Sequence, residues 1–467
     1  MPAFELLING KMTPGAHNLD VINPATEQLA GTCSRASESQ LDEAVNAAEA
    51  ALAGWAATPI EKRRKAIEKV AEVVMANAPE LGEILTREQG KPLPEAVAEA
   101  YGLGAFTQHF AAMDLPVQIL EDTEARRVEV HRTPLGVVAA IIPWNFPLIL
   151  LGFKLGPALL AGNTLVVKPA PTTPLATLRL AELLKDVLPP GVLNVVADAN
   201  DLGSKISAHP RIRKVSFTGS TATGVKVMAG AAETLKRITL EMGGNDAGLV
   251  LGDVDPKKIA PEIFAAAFPN NGQVCIAMKR VYAHESIYDS LCEELALIAK
   301  SKKVGDGMEE GVELGPLQNK AQYEKVKAII ADAEKKGTII AGGSALDRPG
   351  YFVEPTIVRD IQEGSRLVDE EQFGPVLPVI KFSDPEEALV RINRSAEGLG
   401  GSVWSTDAEA ARNLALRLDA GTVWVNKHAE LDPGIPFSGA KQSGMGTELG
   451  REGLEEFTQR KVVNISS

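Results

Sequence analysis

Between residues 136 and 241 the sequence alternates short apolar runs with longer segments of helical spacing. Strands are expected at Gly136–Ile142, Thr164–Lys168, Val192–Val196, Lys214–Phe217 and Arg237–Glu241. Helices are expected between them, at Leu148–Ala161, Leu175–Val187, Leu202–Ser207 and Ala222–Ala232. Helices at every crossover leave little choice: the strands run parallel, in a sheet covered on both faces. The rhythm resumes after residue 245. Strands are expected at Ala247–Leu251, Arg280–Ala283, Thr338–Ala341, Val376–Phe382, Ser402–Trp404 and Thr422–Val425. Helices at Tyr288–Ser301, Lys320–Lys335, Pro385–Arg394 and Ala408–Leu418 lie between them.

The chain has 467 residues, too many for one core, so two or three domains are expected. Residues 5–35 read as short strands and turns, with Asn9-Gly10 a hairpin signal. Leu41–Trp55, the segment after Thr58-Pro59, Leu81–Gln89 and Glu95–Met113 have helical spacing. Gly90-Lys91-Pro92 reads as the break between the last two. Arg126–Arg132 alternates as an exposed strand. The tail Arg460–Ser467 alternates too, and would pair with Val128–Arg132 or complete a sheet in another subunit.

A net charge of −13 with no long basic run argues against nucleic acid and anionic membranes as partners. Cys33, Cys275 and Cys292 form a sparse, odd set without CxxC spacing. That pattern implies a reducing, cytoplasmic setting, no disulfide framework and no metal site. The start MPAFELLING has no signal-peptide pattern, and the apolar stretch near Pro147–Leu160 is too short and broken to span a bilayer.

Several residues at strand ends carry possible chemistry. No GxGxxG follows any expected strand, but Ser216–Gly224 (SFTGSTATG) joins a strand to a helix with small residues, which suits a phosphate. Lys168 closes a strand on the edge where such sheets bind ligands. Trp144-Asn145-Phe146 lies on the same edge, where an Asn amide suits an oxyanion. Glu241 ends its strand before Met242-Gly243-Gly244, as a candidate general base. Glu371-Gln372-Phe373-Gly374-Pro375 suits a ribose and a ring. Phe268–Cys275 (FPNNGQVC) presents one thiol behind an Asn/Gly/Gln loop. Taken singly, each has a bland alternative: a capped turn, a solvated lysine, a surface glutamate, a small buried thiol.

In this order, together with Pro436–Gly444 (PFSGAKQSG), these segments resemble the NAD(P)-dependent aldehyde dehydrogenase superfamily over essentially the whole chain. The resemblance implies an α/β fold of two Rossmann-like domains with a small β oligomerisation element. Residues 1–119 and 135–243 would bind NAD(P), 244–442 would form the catalytic domain, and 120–134 with 443–467 would bridge subunits in a homodimer or homotetramer. It makes Cys275 the nucleophile, Asn145 with the Cys275 backbone N–H the oxyanion site, and Glu241 the base that activates water against a thioester. Ile141, Pro143, Trp144, Lys168, Gly203, Phe217, Gly219, Ser220, Gly224, Met242, Glu371 and Phe373 would hold the cofactor. Phe146, Ile149, Leu150, Phe153, Pro269, Val274, Ile276, Leu431 and Phe437 would line a substrate tunnel.

Departures from the family pattern sharpen these expectations. Pro171 stands where NAD-preferring members carry a Glu against the adenine ribose, and no Arg replaces it, so NAD is expected with NADP tolerated. Ala199 and Ser438 stand where Gly is usual. Phe153 replaces the Arg that clamps the far carboxylate in semialdehyde-specific relatives, so an apolar aliphatic or aromatic aldehyde is expected. Lys427, His428 and Glu430 would bring polarity to the tunnel mouth, and Trp424–Gly444 is similar to a branch acting on bulky aryl-keto semialdehydes. Acyl transfer to coenzyme A is the catalytic alternative, disfavoured by Glu241. A crystallin-like structural role, the alternative of another class, is disfavoured by the presence of Cys275, Glu241 and Asn145 together.

Overall fold

The computed structural model describes residues 4–466. Residues 1–3 and 467, the outer ends of the expected first and last segments and part of the stretch read for a signal peptide, lie outside the described residues. Near the start, Asn9 and Gly10 take φ of 52° and 74°, the left-handed pair of a tight hairpin turn, and join Leu6–Ile8 to Lys11–Thr13. This hairpin adds to one edge of an eight-stranded sheet. From that edge the order is Lys11–Thr13, Leu6–Ile8, Leu193–Val195, Thr164–Lys168, Val137–Ile141, Ile212–Thr218, Arg237–Glu241, Gly444–Met445. The five middle strands are mutually parallel, as the βα rhythm requires. Both edges are antiparallel, added by strands from outside the alternating run. The edge strands arrive by a hairpin and by a late return of the chain, and neither route needs a crossover helix.

Every residue of Val137–Ile141 and Thr164–Lys168 is buried, because helices cover both faces. The helix Glu38–Ala57, opened by a Ser37/Gln40 capping box, packs on Thr164–Lys168 and Leu193–Val195. The helix Pro147–Leu160 is buried almost all round, wedged against Leu93–Ala112. Its apolar run is that of a core helix. Among the described residues no helix is long and apolar enough to cross a membrane.

The second sheet has the order Thr338–Ala341, Thr356–Arg359, Val376–Phe382, Arg280–His284, Ala247–Val250, Gly400–Trp404, Thr422–Val425, parallel except for the first pair. Thr356–Arg359 was not expected from the sequence, nor was the helix Pro256–Ala267. Two prolines masked that helix: Pro256 sits harmlessly in its first turn behind an Asp255 cap, while Pro261 lies within it. Thr458–Ser466 pairs antiparallel with Arg126–Pro134 of its own chain, and Gln118–Asp122, also unexpected, covers the other edge of Arg126–Pro134. Thr458–Ser466 is therefore an outer strand, with Val462 and Ile465 exposed.

Candidate active site

The chain leaves the helix Pro256–Ala267 through a single tight turn at Pro269–Gly272. Asn270, Asn271 and Gly272 take φ of 48°, 57° and 76°, an unusual left-handed run. Side-chain amides hold it. Asn271 Nδ2 donates to the Gly315 carbonyl at 2.8 Å, Gln273 Nε2 to the Asn270 carbonyl at 2.9 Å, and Gln273 Oε1 accepts from Gln318 N at 2.9 Å. At its end Cys275 is half-buried, whereas Cys33 and Cys292 are buried in the cores. Burial pushes the Cys275 thiol up to about 12. Lys279 opposes that shift, and the carboxylates of Glu371, Asp246 and Glu241 add to it.

Asn145, just beyond the end of Val137–Ile141, is tied to this loop from the first sheet. Its Nδ2 donates to the Gln273 carbonyl at 3.0 Å, which leaves its second N–H. The Asn145 carbonyl accepts from Asn270 Nδ2 at 3.1 Å and from Lys91 Nζ at 2.8 Å. Lys91, read from sequence only as part of a helix break, is buried, ion-paired with Glu99 and 3.4 Å above the Phe146 ring centre. Glu99 Oε1 in turn accepts from Leu148 N at 2.8 Å, in the first turn of Pro147–Leu160. Nothing in the sequence marked this clamp: Lys91 reads as part of a break and Glu99 as one polar residue of the helical segment Glu95–Met113.

Glu241 is 3% exposed, and neither carboxylate oxygen has a hydrogen-bond partner among the described residues. Burial and the nearby Glu448 carboxylate raise its pKa well above the usual range, opposed by Lys154. Lys154, itself buried, pairs with Glu448 and donates to Thr218 Oγ1 at 2.7 Å. The glycines after Glu241 permit close approach. A Cβ at Gly243 would lie 2.3 Å from Glu371 Oε2, and one at Gly244 would lie 2.9 Å from the Cys275 carbonyl oxygen. Glu371 Oε1 accepts from Gly244 N at 3.1 Å.

A cavity of about 760 Å³ opens along the C-terminal edge of the first sheet, lined by Ile141, Pro143, Trp144, Lys168, Gly203, Phe217, Gly219 and Ser220. Ser220 caps the helix Thr221–Ala232 and turns its N-terminus to the cavity, an arrangement that suits phosphates. Beside Gly203 there is open space, whereas a Cβ at Gly224 would lie 2.2 Å from Met242 Sδ. Gly224 and Met242 thus support the cavity from behind Phe217. Phe373 packs edge-on to Trp144 at 5.4 Å. These residues fit a dinucleotide. Asp198, Lys226 and Asn319 also line the cavity and were not anticipated. Asp198, followed by Ala199, had no motif to mark it.

Phe146, Ile149, Val274 and Leu431 pack with Cys275 on the core that contains Leu150, Phe153, Ile276 and Phe437. Phe153 is 2% exposed and stacks on Phe106 at 4.9 Å. Pro269 is set apart, in a different cleft with Glu95, Phe264 and Lys302. His428 does not face the tunnel mouth, contrary to the sequence expectation: its imidazole is turned inward and buried. Its Nε2–H donates to the Ile276 carbonyl at 3.0 Å, and its Nδ1 accepts from Ser402 Oγ at 2.9 Å. Burial lowers its pKa to about 3, so the ring is neutral. Lys427 and Glu430 pair at 2.8 Å on the surface.

Residues 12–463 match the aldehyde dehydrogenase family model. The chain belongs to the aldehyde dehydrogenase family. It is 39% identical to the phenylacetaldehyde dehydrogenase of Pseudomonas fluorescens, across 99% of this chain and 96% of that one. It is 38% identical to the mitochondrial succinate-semialdehyde dehydrogenase of Arabidopsis thaliana, across 98% and 88%. Its fold superposes on an NAD+ complex of an aldehyde dehydrogenase from Bacillus cereus with TM-score 0.97 and 35% identity, covering 100% of this chain and 97% of that one. Aldehyde dehydrogenases are oxidoreductases that use NAD(P), and the oxidation of aldehydes to acids is their general reaction.

Proposed function

We propose that this aldehyde dehydrogenase oxidises an apolar aliphatic or aromatic aldehyde to its carboxylic acid through a thiohemiacetal and a thioester on Cys275. The observation that carries this reading is a convergence: Asn145 reaches the Cys275 loop at 3.0 Å, and Gly244, three residues beyond Glu241, abuts the Cys275 carbonyl. The Cys275 sulfur attacks the aldehyde carbon, and the Asn145 amide with the Cys275 N–H holds the resulting oxyanion. NAD(P), when bound, supplies the hydride acceptor. Glu241 then takes a proton from water, the water oxygen adds to the thioester carbon, and the C–S bond breaks to release acid and thiolate. A carboxylate whose pKa burial raises is a stronger base toward water than an exposed one, which suits that role.

The tunnel lining is apolar, with Phe153 where a carboxylate-clamping Arg would stand, which favours an uncharged aldehyde tail. Pro171 beside the Lys168–Asp198 pair supports NAD with NADP tolerated. Residues 1–119 and 135–243 form the cofactor-binding domain in this reading, and 244–442 the catalytic one. Residues 120–134 and 443–467 bridge subunits, with the open edge of Thr458–Ser466 supporting a homodimer or homotetramer. The test is Glu241→Gln, assayed for a burst of NAD(P)H and for acid release. The burst is expected to persist while turnover stalls. Acid release at the wild-type rate would sink the assignment of the base.

A further inference from the structure

Lys279 lies four residues beyond Cys275 and is 1% exposed. Lysines are almost never buried without a partner. Its Nζ donates to the Val274 carbonyl, lies 3.5 Å from the Cys275 carbonyl and 3.8 Å from Glu371 Oε1, and sits 5.3 Å from the Phe373 ring centre. Its main chain is pinned as well. The Lys279 N–H donates to the Asp246 carbonyl at 2.9 Å, and its carbonyl accepts from Gln372 Nε2 at 3.1 Å. The ammonium is thereby held against the carbonyls of the nucleophile loop.

The charges around Cys275 make that position consequential. Glu371, Asp246 and Glu241 lie near enough to the thiol that each, when ionised, disfavours a thiolate. The other basic groups nearby bond elsewhere. Arg280 Nε donates to the Asn245 carbonyl at 2.9 Å, Lys325 Nζ donates to the Glu371 carbonyl at 2.7 Å, and His428 is neutral on the Ile276 carbonyl. Asp246 is pushed up to about 7 by burial, so part of the opposing negative charge is itself titratable near neutral pH. Lys279 is the ammonium that opposes the upward shift of the Cys275 thiol, while Lys325 and Lys154 act on Glu371 and Glu241.

We propose that Lys279 is a positioning residue for aldehyde oxidation: clamped on the Val274 and Cys275 carbonyls, its ammonium fixes the nucleophile loop and supplies the positive charge that lets Cys275 ionise. This rests on Cys275 being the nucleophile. The test measures the rate of Cys275 alkylation by iodoacetamide against pH in the full-length protein, followed on the Cys275 peptide by mass spectrometry. Lys279→Gln keeps a donor for the Val274 carbonyl and removes the charge. Its alkylation midpoint is expected to move to higher pH, with the rate near neutral pH falling about tenfold. Lys279→Arg is expected to retain most of the wild-type rate. An unchanged midpoint in a folded Lys279→Gln protein would overturn the proposal, leaving Lys279 a structural staple. Should that variant not fold, Glu371→Gln on the wild-type background removes the carboxylate that shares the ammonium, and the midpoint is expected to move to lower pH. No movement there would equally overturn it. A separate arm tests the nucleophile itself: wild-type protein alkylated at Cys275 must lose aldehyde-dependent NAD(P)H formation, whatever the midpoints show.

Discussion

Lys168 Nζ lies 2.9 Å from Asp198 Oδ1, and both groups are buried at the edge of the cofactor cavity. The other oxygen, Asp198 Oδ2, accepts from Leu202 N at 2.9 Å, so the carboxylate is fixed from two sides. It already neutralises the lysine that a cofactor ribose or phosphate would meet. Asp198→Asn is expected to free that charge. NADP binding should then strengthen relative to NAD on the order of tenfold, or ~1.4 kcal/mol. Titration of each cofactor against intrinsic tryptophan fluorescence measures the ratio, and an unchanged ratio would remove Asp198 from cofactor selection.

Lys91 and Glu99 form a buried ion pair that anchors Asn145 through its carbonyl. Lys91→Met strands the Glu99 carboxylate in the core. It is expected to lower stability by about 3–5 kcal/mol and to depress kcat by loosening Asn145. The double variant with Glu99→Gln should recover much of the stability but not kcat. Chemical denaturation and steady-state kinetics on the same preparations separate the two effects.

The pH dependence of deacylation follows from Glu241. Its pKa is raised by burial and by Glu448. The ionised base is therefore lost as pH falls through that raised value, and hydrolysis of the acyl-enzyme should slow on that acidic limb. Glu448→Gln removes the neighbouring anion and releases Lys154 from its pair, two changes that both favour Glu241 carboxylate. The acidic limb is expected to move to lower pH in single-turnover experiments. A shift to higher pH would contradict the electrostatic account.

Gly272 is needed twice over. Its φ is +76°, and a Cβ there would lie 2.4 Å from the Gly374 carbonyl oxygen. Gly272→Ala should cost about 1–3 kcal/mol of stability and displace the Cys275 loop from Asn145. Thermal melts, with the rate of acyl-enzyme formation, test both consequences. A variant as stable and as fast as wild type would show that the turn accommodates a side chain.

Much of the architecture was legible because it is written in local periodicity. Five apolar runs spaced by helical segments could hardly form anything but parallel strands, and the Asn9-Gly10 turn carried its own conformational signature. Lys168 and Glu241 sit at strand ends as the runs required. The Gly444–Met445 edge of the first sheet was not legible, because it is a two-residue segment from far along the chain. Nor was Pro256–Ala267, where local breakers outweighed a capped amphipathic pattern.

The sequence by itself determined the order of strands and helices, the loop that carries Cys275, and the glycines that let backbone approach it closely. These depend on neighbours along the chain, through periodicity, turn conformation and the absence of a Cβ. Only the tertiary structure decided what Lys91, Lys154, Asp198, Lys279 and His428 do. Each is polar, and in sequence each reads as solvated. Folding buries all five side chains and sets each against a group 8 to 294 positions away, as with Lys91 and Glu99 or Lys154 and Glu448. For a charged group the surrounding dielectric and the nearest opposite charge set its ionisation, and both are properties of the packed molecule.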